Sequence, residues 1–368
     1  MPRRYHFLIV GCGFTGATLA ERLAAHGARV LVIDRRDHIG GNAYDRLDEH
    51  GIRVGPYGPH LFHTRSEKIW RYVNRFATFN DYELRVQALH GGRYYDLPLN
   101  LSTFRAFFGN DLREQDVPAL LAELREPIEQ PRNAEEAIVS QVGRALYRAF
   151  YEGYTRKQWG MEPRELDASV TLRLPIRHHE DNRYFSDRWQ GLPIEGYTRL
   201  FERMLAHENI TVALNADDRA VRASERFDKL IYTGPIDAYF DHALGRLPYR
   251  SIDFRLESIA SRELVQRVGL LNYPDQRAYT RSAEYRHFYG QSSDWTTLGR
   301  DYPCWNDAEP YYPVPNPANR ALYARYKALA AAETDTLFCG RLGTYKYYNM
   351  DQCIAQALTL AERLLRGN

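Results

Sequence analysis

The sequence predicts an α/β fold in which a parallel-sheet nucleotide-binding domain is interrupted by a helical domain and by an antiparallel β-sheet domain. Three observations lead to this prediction. The chain opens with an apolar strand, a glycine-rich loop and a helical pattern. Residues 101–160 have mainly helical periodicity. Residues 249–305 alternate in places between apolar and polar side chains, which is typical of antiparallel strands.

The first unit of the chain follows from its apolar runs and glycines. Tyr5–Val10 is a predicted strand, and residues 11–16 form the loop that follows it. Residues 17–25 predict a helix, and Val30–Ile33 predicts a second buried strand. A strand–helix–strand unit of about thirty residues has the usual size of a βαβ unit. The N-terminus is therefore predicted to be of Rossmann type.

The later elements follow from periodicity and turn residues. Residues 50–97 mix short strands with glycine turns. Residues 134–151 carry an apolar side chain at every fourth position, which predicts one long helix. Residues 163–193 predict a loop, and four prolines make residues 309–320 irregular. Further helices are predicted at 119–124, 198–208, 322–332 and Met350–Arg366, and further strands at 210–214, 229–232 and 336–339.

Composition limits the class of protein. The 368 residues carry a net charge of +2, without a block of like charge or a run of 18 apolar residues. Neither nucleic-acid binding nor membrane insertion is therefore expected. The four cysteines form no Cys-x-x-Cys pair, and no residues have metal-ligand spacing, so no metal is expected. Cys12 and Cys339 are expected to be small buried residues, which suits a reduced cytoplasmic setting.

The loop at residues 11–16 reads GCGFTG and lies between a strand and a helix, which is the context of a dinucleotide-binding motif. Gly11 allows a tight turn, Gly13 lets the backbone approach a diphosphate, and Gly16 lets helix and strand pack closely. Free amides at the helix N-terminus favour phosphate. Asp34 ends the second strand and is expected to accept hydrogen bonds from ribose hydroxyls.

The residues after Asp34 bear on which dinucleotide is bound. Arg35 and Arg36 are compatible with NADP, because arginine can bind a 2′-phosphate. The Gly-Gly doublet at 40–41 instead resembles the second FAD contact of amine-oxidase and glutathione-reductase-like flavoproteins. A late strand runs into a turn at Gly340 before the last helix, whose N-terminal dipole would stabilise a reduced flavin. FAD is therefore the predicted cofactor.

Seven blocks of sequence resemble the UDP-galactopyranose mutases. They occur in the order of that family over nearly the whole chain, and several are specific to it. The blocks are 36–44 (RDHIGGNAY), 57–64 (YGPHLFHT), 153–160 (GYTRKQWG), 182–188 (NRYFSDR), 232–237 (YTGPID), 309–313 (EPYYP) and 340–348 (GRLGTYKYY).

The resemblance implies a reduced-FAD-dependent isomerase that interconverts UDP-galactopyranose and UDP-galactofuranose. In that family, N5 of the reduced flavin forms a covalent adduct with the sugar while UDP leaves and returns. The implied role is to supply galactofuranose for cell-surface glycans, and the implied state is a cytoplasmic homodimer. The implied fold is a Rossmann-type FAD-binding domain with an inserted helical domain and an antiparallel β-sheet domain.

Three domains are expected along the chain. The FAD-binding domain is discontinuous, and the helical domain carries the uridine site. The third domain contains the antiparallel sheet and the substrate lid. The predicted limits are 1–80, 195–245 and 310–368 for the first, 100–165 for the second, and 81–99, 166–194 and 246–309 for the third.

The resemblance also assigns roles to residues. The family's two diphosphate arginines fall on Arg173 and Arg281, and a mobile lid is expected over residues 171–183. These arginines are the implied catalytic residues together with His63, which lies against the flavin, and Trp159 is expected to stack on uracil. Further substrate contacts are expected from Phe150, Tyr151, Tyr154, Thr155, Tyr184, Arg250, Tyr312, Arg341 and Tyr347. The expected cofactor contacts are Gly11, Gly13, Phe14, Thr15, Gly16, Asp34, Arg35, Gly41, Asn42, His60, Gly340, Arg341 and Met350.

Several alternatives stay open. Phe150 continues an apolar helix face, which favours a core position, and His63 could be a structural histidine. Asn349 stands where the family usually has an acid, which leaves open a deoxy or N-acetylated nucleotide sugar as substrate. A flavin oxidoreductase of the amine-oxidase type and a flavin-bound protein without turnover are the other candidate functions.

Overall fold

The computed structural model describes residues 4–109, 111–306 and 308–366. Its strands, in chain order, are β1 (Tyr5–Val10), β2 (Val30–Ile33), β3 (Arg46–Leu47), β4 (Arg53–Val54), β5 (Phe62–Thr64), β6 (Val86–His90), β7 (Arg93–Leu97), β8 (Trp189–Gly191), β9 (Ile210–Ala213), β10 (Phe227–Tyr232), β11 (Tyr249–Ala260), β12 (Leu270–Asn272), β13 (Arg281–Glu284), β14 (Trp295–Cys304), β15 (Tyr312–Pro313) and β16 (Thr336–Phe338). Its α-helices are α1 (Phe14–Ala24), α2 (Glu67–Val73), α3 (Leu101–Phe108), α4 (Val117–Leu124), α5 (Ala134–Leu146), α6 (Gly153–Trp159), α7 (Tyr197–Leu205), α8 (Asp218–Ser224), α9 (Ile236–Tyr239), α10 (Arg286–Tyr289), α11 (Pro317–Ala331), α12 (Gly340–Gly343) and α13 (Met350–Arg366).

Five strands form a parallel sheet in the order β16-β10-β1-β2-β9. The central strand β1 is buried on both faces, because Ile9 packs in the core with α1 and α13 while Leu8 packs with Leu31 and Leu230 on the other side. Neighbouring side chains of a strand point to opposite faces, so a continuous apolar run is required here. The sheet is the Rossmann-type domain, and the first two predicted strands are confirmed at both ends.

Seven strands form a second sheet in the order β15-β11-β14-β13-β12-β6-β7. The long pair β11 and β14 is antiparallel, from Ser251 opposite Cys304 to Ala260 opposite Trp295. The predicted antiparallel sheet contains one parallel pair, because β6 pairs with β12 in parallel. These two strands come from distant parts of the chain, so no hairpin imposes the antiparallel direction. Strand β15 pairs with β11, although it lies in sequence predicted for the FAD-binding domain; the domain limits remain a prediction.

The region 101–160 is mainly helical, but its predicted long helix is interrupted. Helix α5 ends at Leu146, a π-helical turn covers Tyr147–Glu152, and α6 follows. Gly143 lies inside α5 with φ of 77°, and a Cβ there would approach the carbonyl oxygen of Leu124 to 2.1 Å. The glycine thus lets the end of α4 pack against α5, at the cost of regular helix geometry.

Helix boundaries also differ from prediction near prolines and glycines. Helix α11 begins at Pro317, inside the segment predicted to be irregular, because Asn316 caps it and proline is tolerated in the first turn. Helix α13 has the bounds predicted, and α7 is shorter at its C-terminal end. Within the described ranges, no helix has the length and apolar character needed to cross a membrane.

Candidate functional site

The glycine turn after β1 is packed too closely for side chains at two of its positions. Gly11 has φ of 102°, and a Cβ at this position would meet the hydroxyl oxygen of Thr233 at 2.0 Å. A Cβ at Gly16 would meet the carbonyl oxygen of Gly11 at 1.9 Å, so only glycine permits the close packing of α1 on β1. Gly13 precedes α1, and no side chain caps this helix N-terminus. Its amides and positive dipole end therefore suit a diphosphate.

A second glycine segment faces the turn. Gly40 donates a backbone hydrogen bond to the carbonyl of Cys12 at 2.9 Å, and a Cβ on Gly41 would lie 3.0 Å from the Cα of Gly13. Asp34 ends β2, and one of its carboxylate oxygens accepts a hydrogen bond from the amide of Cys12 at 2.8 Å. These residues form a narrow cradle bounded by backbone, which we call the dinucleotide cradle. Its shape and its carboxylate fit the diphosphate and ribose of FAD.

The end of the chain returns to the cradle. Gly340 begins α12 with φ of 76°, and a Cβ there would lie 3.3 Å from the hydroxyl oxygen of Thr15. The amide of Gly340 donates to the side-chain oxygen of Gln356 on α13 at 2.7 Å. Met350 starts α13, and Cys353 in the first turn of this helix lies within hydrogen-bond range of Thr15. Segments from the two ends of the chain therefore surround one position, as the sequence predicted for a flavin.

Beside the cradle lies a cluster of arginines and stacked tyrosines, which we call the Arg–Tyr cluster. Its stacked rings are Tyr312 and Tyr347, whose centroids are 5.1 Å apart. The guanidinium carbon of Arg173 lies 3.8 Å from the centroid of Tyr347, and that of Arg341 lies 4.7 Å from it. Burial alone would raise the pKa of Tyr347, but Arg173, Arg341 and Arg281 outweigh it and lower that pKa to about 8. The cluster is thus strongly positive and suits an anion.

Arg281 is the third cation of the Arg–Tyr cluster, and a buried carboxylate holds it. Arg281 on β13 lies opposite Asp301 on β14, and its Nε donates to Oδ2 of Asp301 at 2.7 Å. Burial opposes the charge of Arg281, but Asp301 outweighs this and raises the pKa of Arg281 well above its ordinary value. Tyr154 and Tyr184 lie within electrostatic range of the same guanidinium. Among the described residues, no other acceptor binds Arg281, so the rest of its fork is available to a ligand.

The two histidines of the 57–64 block have different environments. His60 makes a hydrogen bond through Nδ1 with the carbonyl of Gly58 at 2.9 Å. Burial, together with the nearby charges of Arg341 and Arg281, lowers the pKa of His60 to about 4, so the ring is neutral and lies near the Arg–Tyr cluster. His63 instead stacks on Phe185 at 3.6 Å and pairs through Nδ1 with Asp187 at 2.5 Å. The ring of His63 is therefore held rigidly by protein groups.

The predicted uridine residues occupy buried and partly buried positions. Phe150 is 5% exposed and packs against Tyr95 and Phe107, which supports the core alternative for this residue. Thr155 is also buried. Trp159 at the end of α6 is half-buried and lies 6.3 Å from Tyr312, measured between ring centroids. Tyr151 lies close enough to Tyr184 to interact electrostatically with it.

Arg250 binds two backbone carbonyls of the protein, and its contact with a diphosphate remains a prediction. Its Nε donates to the carbonyl of Gln158 at 2.9 Å, and its Nη2 donates to the carbonyl of Lys157 at 3.0 Å. These carbonyls are at the C-terminal end of α6, where a cation is favourable. Lys157 in turn donates from Nζ to three carbonyls of residues 273–279. Arg250 and Lys157 therefore fix α6 against the second sheet.

The predicted lid, residues 171–183, is anchored at its first residue and in its middle. The hydroxyl of Thr171 donates to a backbone carbonyl at the start of α5 at 2.8 Å, and the amide of Arg177 donates to the carbonyl of Leu99 at 2.9 Å. Between these anchors, Arg173 is exposed and reaches the site, where its Nη2 donates to Oδ1 of Asn349 at 3.2 Å. Motion of the lid over residues 171–183 remains a prediction, and the segment 172–176 between the two anchors is the part that carries Arg173.

Three relevant residues were missed by sequence reasoning. Asp301 holds Arg281, and Glu309 pairs with both Arg35 and Arg36. Asn272 lies opposite Arg281 in the sheet, and its side-chain oxygen is buried without a hydrogen-bond partner in the part of the chain that the structure describes. No local motif marks Asp301 or Asn272, and the block at 309–313 contains Glu309 without indicating its arginine partners, because each residue acquires its role from a strand or loop far away in the sequence.

The structure also bears on metals and cysteines. Residues 4–109, 111–306 and 308–366 contain no group of three or more metal-ligating side chains. Cys12 and Cys339 are buried and free, as predicted.

Comparison with known proteins agrees with this arrangement. A family model described as UDP-galactopyranose mutase matches residues 149–347, and one described as an NAD(P)-binding Rossmann-like domain matches residues 9–76. A probable UDP-galactopyranose mutase of Klebsiella pneumoniae is 41% identical, with 98% of this chain and 94% of the relative aligned. A dTDP-fucopyranose mutase of Escherichia coli is 38% identical, with 98% of both chains aligned.

The fold has a solved counterpart as well. A crystal structure of reduced UDP-galactopyranose mutase superposes with a TM-score of 0.79 at 18% identity, covering 100% of this chain and 96% of the other. At that identity the superposition supports the fold, while the family model and the two sequence relatives carry the assignment. The chain therefore belongs to the UDP-galactopyranose mutase family of enzymes.

Proposed function

We propose that the protein is a reduced-FAD-dependent isomerase that interconverts UDP-galactopyranose and UDP-galactofuranose. The observation that carries the proposal is the link between the two sites through α12: Gly340 packs against Thr15 of the glycine turn, and the next residue, Arg341, lies over the ring of Tyr347 in the Arg–Tyr cluster. A diphosphate leaving group needs cations with planar donor forks, and a flavin needs the adjacent cradle. Relatives named as UDP-galactopyranose mutases support the choice of sugar nucleotide.

The cofactor part of the proposal is FAD in its reduced form. We assign its diphosphate and ribose to the cradle, with contacts from the residues predicted above. Reduced FAD would supply the nucleophile, N5, that forms a covalent adduct with the anomeric carbon of the sugar. Arg35 is the weakest of the cofactor assignments, because its guanidinium pairs with Glu309 and is half exposed.

The diphosphate is assigned to Arg173, Arg281 and Arg341. These side chains hold the leaving UDP close to the sugar, and their charges stabilise the negative charge that develops on the diphosphate. Asp301 keeps the fork of Arg281 in one orientation, which lowers the entropy lost on binding. Because UDP must return after the sugar has rearranged, keeping it bound matters as much as releasing it from the sugar.

The remaining assignments concern the sugar, the base and water. Tyr184, Tyr312 and Tyr347 offer hydroxyl groups to the sugar and diphosphate without adding a fixed charge. Trp159 is assigned to uracil, together with Tyr151, Tyr154 and Thr155. His60 is neutral and presents no competing charge, and His63 is assigned to the flavin ring. Closure of the lid, residues 171–183, would exclude water from the reacting sugar.

One assay tests the proposed function. Purified protein is supplied with UDP-galactofuranose, with and without dithionite, and UDP-galactopyranose is measured. Conversion that requires reduction is expected. Net oxidation of an amine or another substrate would instead support the oxidoreductase alternative, and a protein that converts no nucleotide sugar would be a flavin-bound protein without turnover.

A variant nucleotide sugar is the second candidate substrate. It is favoured by the relative named dTDP-fucopyranose mutase, whose identity to this chain is close to that of the galactose enzyme. Asn349 contacts Arg173. Its neutral side chain stands where the family usually has an acid, and this difference in charge would change the environment of the sugar. The same assay with dTDP-fucofuranose decides between the two, because the preferred substrate has the higher kcat/KM.

The biological setting is also part of the proposal. We propose that the enzyme supplies galactofuranose for cell-surface glycans and acts as a cytoplasmic homodimer. Sedimentation of the purified protein measures the oligomeric state, and a monomer at micromolar concentration would contradict the dimer.

A further inference from the structure

The carboxylate of Glu309 bridges two consecutive arginines. Its Oε1 lies 2.8 Å from Nη2 of Arg35, and its Oε2 lies 2.9 Å from Nη2 of Arg36. The adjacent carbonyl of Ala308 accepts a further hydrogen bond from Arg35 at 2.6 Å. Each carboxylate oxygen is therefore committed to a different guanidinium, and the two cations are held side by side.

One of these arginines is also part of the wall of the dinucleotide cradle. The amide of Arg36 donates to Asp34 at 3.0 Å, and its Nη1 donates to the side-chain oxygen of Asn42 at 3.0 Å. Its guanidinium lies 4.1 Å from the ring centroid of Tyr57, and its side chain is only 14% exposed. Arg36 thus connects the two ends of the loop at 34–42, which borders the predicted site of the FAD ribose and diphosphate.

The backbone around Glu309 is fixed to the second sheet. The carbonyl of Glu309 accepts a hydrogen bond from the hydroxyl of Ser251, and the amide of Tyr311 donates to the carbonyl of Arg250 at 3.1 Å. Tyr312 of the Arg–Tyr cluster follows immediately. The side chain of Glu309 is therefore a tie between the sheet that carries the predicted substrate site and the loop that encloses the predicted cofactor.

We propose that Glu309 is a cofactor-retention residue, which slows the release of FAD by holding Arg35 and Arg36 and thereby keeping the loop at 34–42 closed. The inference rests on the FAD part of the proposed function. An exposed ion pair by itself contributes little, but here one carboxylate pairs with two adjacent cations, one of them largely buried. Without that charge the two guanidinium groups would repel each other and favour an open loop.

The test measures FAD release from the holoprotein and does not depend on turnover. Glu309→Gln keeps the size of the side chain and removes its charge. We expect it to release FAD about fivefold faster at low ionic strength. This factor corresponds to a loss of stabilisation in the upper range for an exposed charge network. Raising NaCl from about 0.05 M to about 0.5 M should accelerate release from the wild type, where salt screens the attraction to Glu309, and should slow release from the variant, where salt screens the repulsion between the two arginines.

Matched variants separate this role from a general loss of stability. Glu257→Gln removes a similar exposed carboxylate, paired with Arg300 on the second sheet, and should leave FAD release unchanged. Arg36→Gln should also speed the release of FAD. The variant that combines Arg36→Gln with Glu309→Gln should speed release by less than the product of the two single factors. Wild-type release rates in Glu309→Gln, or equal salt dependence in both proteins, would overturn the inference. Purified wild type that binds no FAD would instead overturn the cofactor proposal itself.

Discussion

At the residue scale, the arginines around the site differ in what already holds them. Arg250 is occupied by two helix carbonyls, and Arg281 is oriented by Asp301. Arg173 and Arg341 lie over the ring of Tyr347, and no carboxylate among the described residues pairs with either guanidinium. These two therefore retain most of their charge for an incoming diphosphate, whereas Arg281 contributes direction as much as charge.

Replacing Arg173 or Arg281 by alanine should reduce turnover of UDP-galactofuranose by about 100-fold or more, because each removes donors that stabilise charge on the diphosphate. The flavin spectrum of the purified variants should be unchanged. Arg300→Ala is the control. Arg300 lies on β14 next to Asp301, but its side chain binds Glu257 and not the Arg–Tyr cluster. A near-normal rate in either of the first two variants would show that the diphosphate lies elsewhere.

UDP affinity should fall above about pH 8. Tyr347, whose pKa is lowered to about 8, becomes an anion above that pH, and an anion beside the diphosphate opposes its binding. If only the neutral ring permits binding, affinity falls by about tenfold one pH unit above the pKa. Calorimetric titration of the oxidised protein with UDP, between about pH 6.5 and about pH 9.5, measures the effect.

Tyr347→Phe separates this effect from other titrations. The variant keeps the stacked ring but cannot ionise, so its UDP affinity should stay level above pH 8. Lys157 on α6 also has a pKa lowered to about 8, by burial and by Arg277, and it is retained in the variant. A fall in affinity that persists in Tyr347→Phe would therefore assign the pH dependence to another group such as Lys157.

At the scale of elements, glycines set the geometry where two backbones meet. Gly143 allows the carbonyl of Leu124 to approach α5, and Gly41 allows its loop to approach Gly13. The apolar periodicity of 134–151 indicated a helix correctly but could not show that Gly143 interrupts it. Periodicity reports which face is buried, and the interruption comes from the other helix that packs there.

Gly143→Ala should destabilise the protein by about 2–4 kcal/mol, since the new Cβ adds a backbone clash to the strain of a left-handed conformation. Gly91→Ala is the matched control, because Gly91 also has positive φ but faces open space. This control substitution should lower the free energy of unfolding by only about 1 kcal/mol. Urea unfolding gives both free energies of unfolding, and equal losses in the two variants would show that the contact with Leu124 relaxes without cost.

At the scale of the whole molecule, the predicted cofactor site joins distant parts of the chain. The turn at 11–16, the loop at 34–42 and Gly340 with α13 all border the dinucleotide cradle. The second sheet reaches the same region through Tyr312 and Glu309. A ligand at this position would therefore stabilise contacts between segments that are far apart in sequence.

Removing FAD should lower the thermal unfolding midpoint, and adding FAD back should restore it. A ligand that binds only the folded state contributes about 2.7 kcal/mol at a free concentration 100 times its Kd. Scanning fluorimetry of apoprotein with increasing FAD measures the shift, and free riboflavin serves as the control because it lacks the diphosphate and adenosine. Equal midpoints with and without FAD would contradict the assignment of the cradle to this cofactor.

The sequence by itself determined the fold class, the glycine turn, the acid after β2 and the family. These are local features, in which a few neighbouring residues fix a turn, a buried strand or a helix, and the ordered blocks then identified the relatives. Only the tertiary structure decided which arginines are free. Asp301, Glu309 and the carbonyls at the end of α6 reach their arginines across sheets and loops, from positions up to hundreds of residues away. Because a side chain's charge is available only after its partners are known, the division of the arginines between ligand binding and structural support depends on the packing of the whole chain.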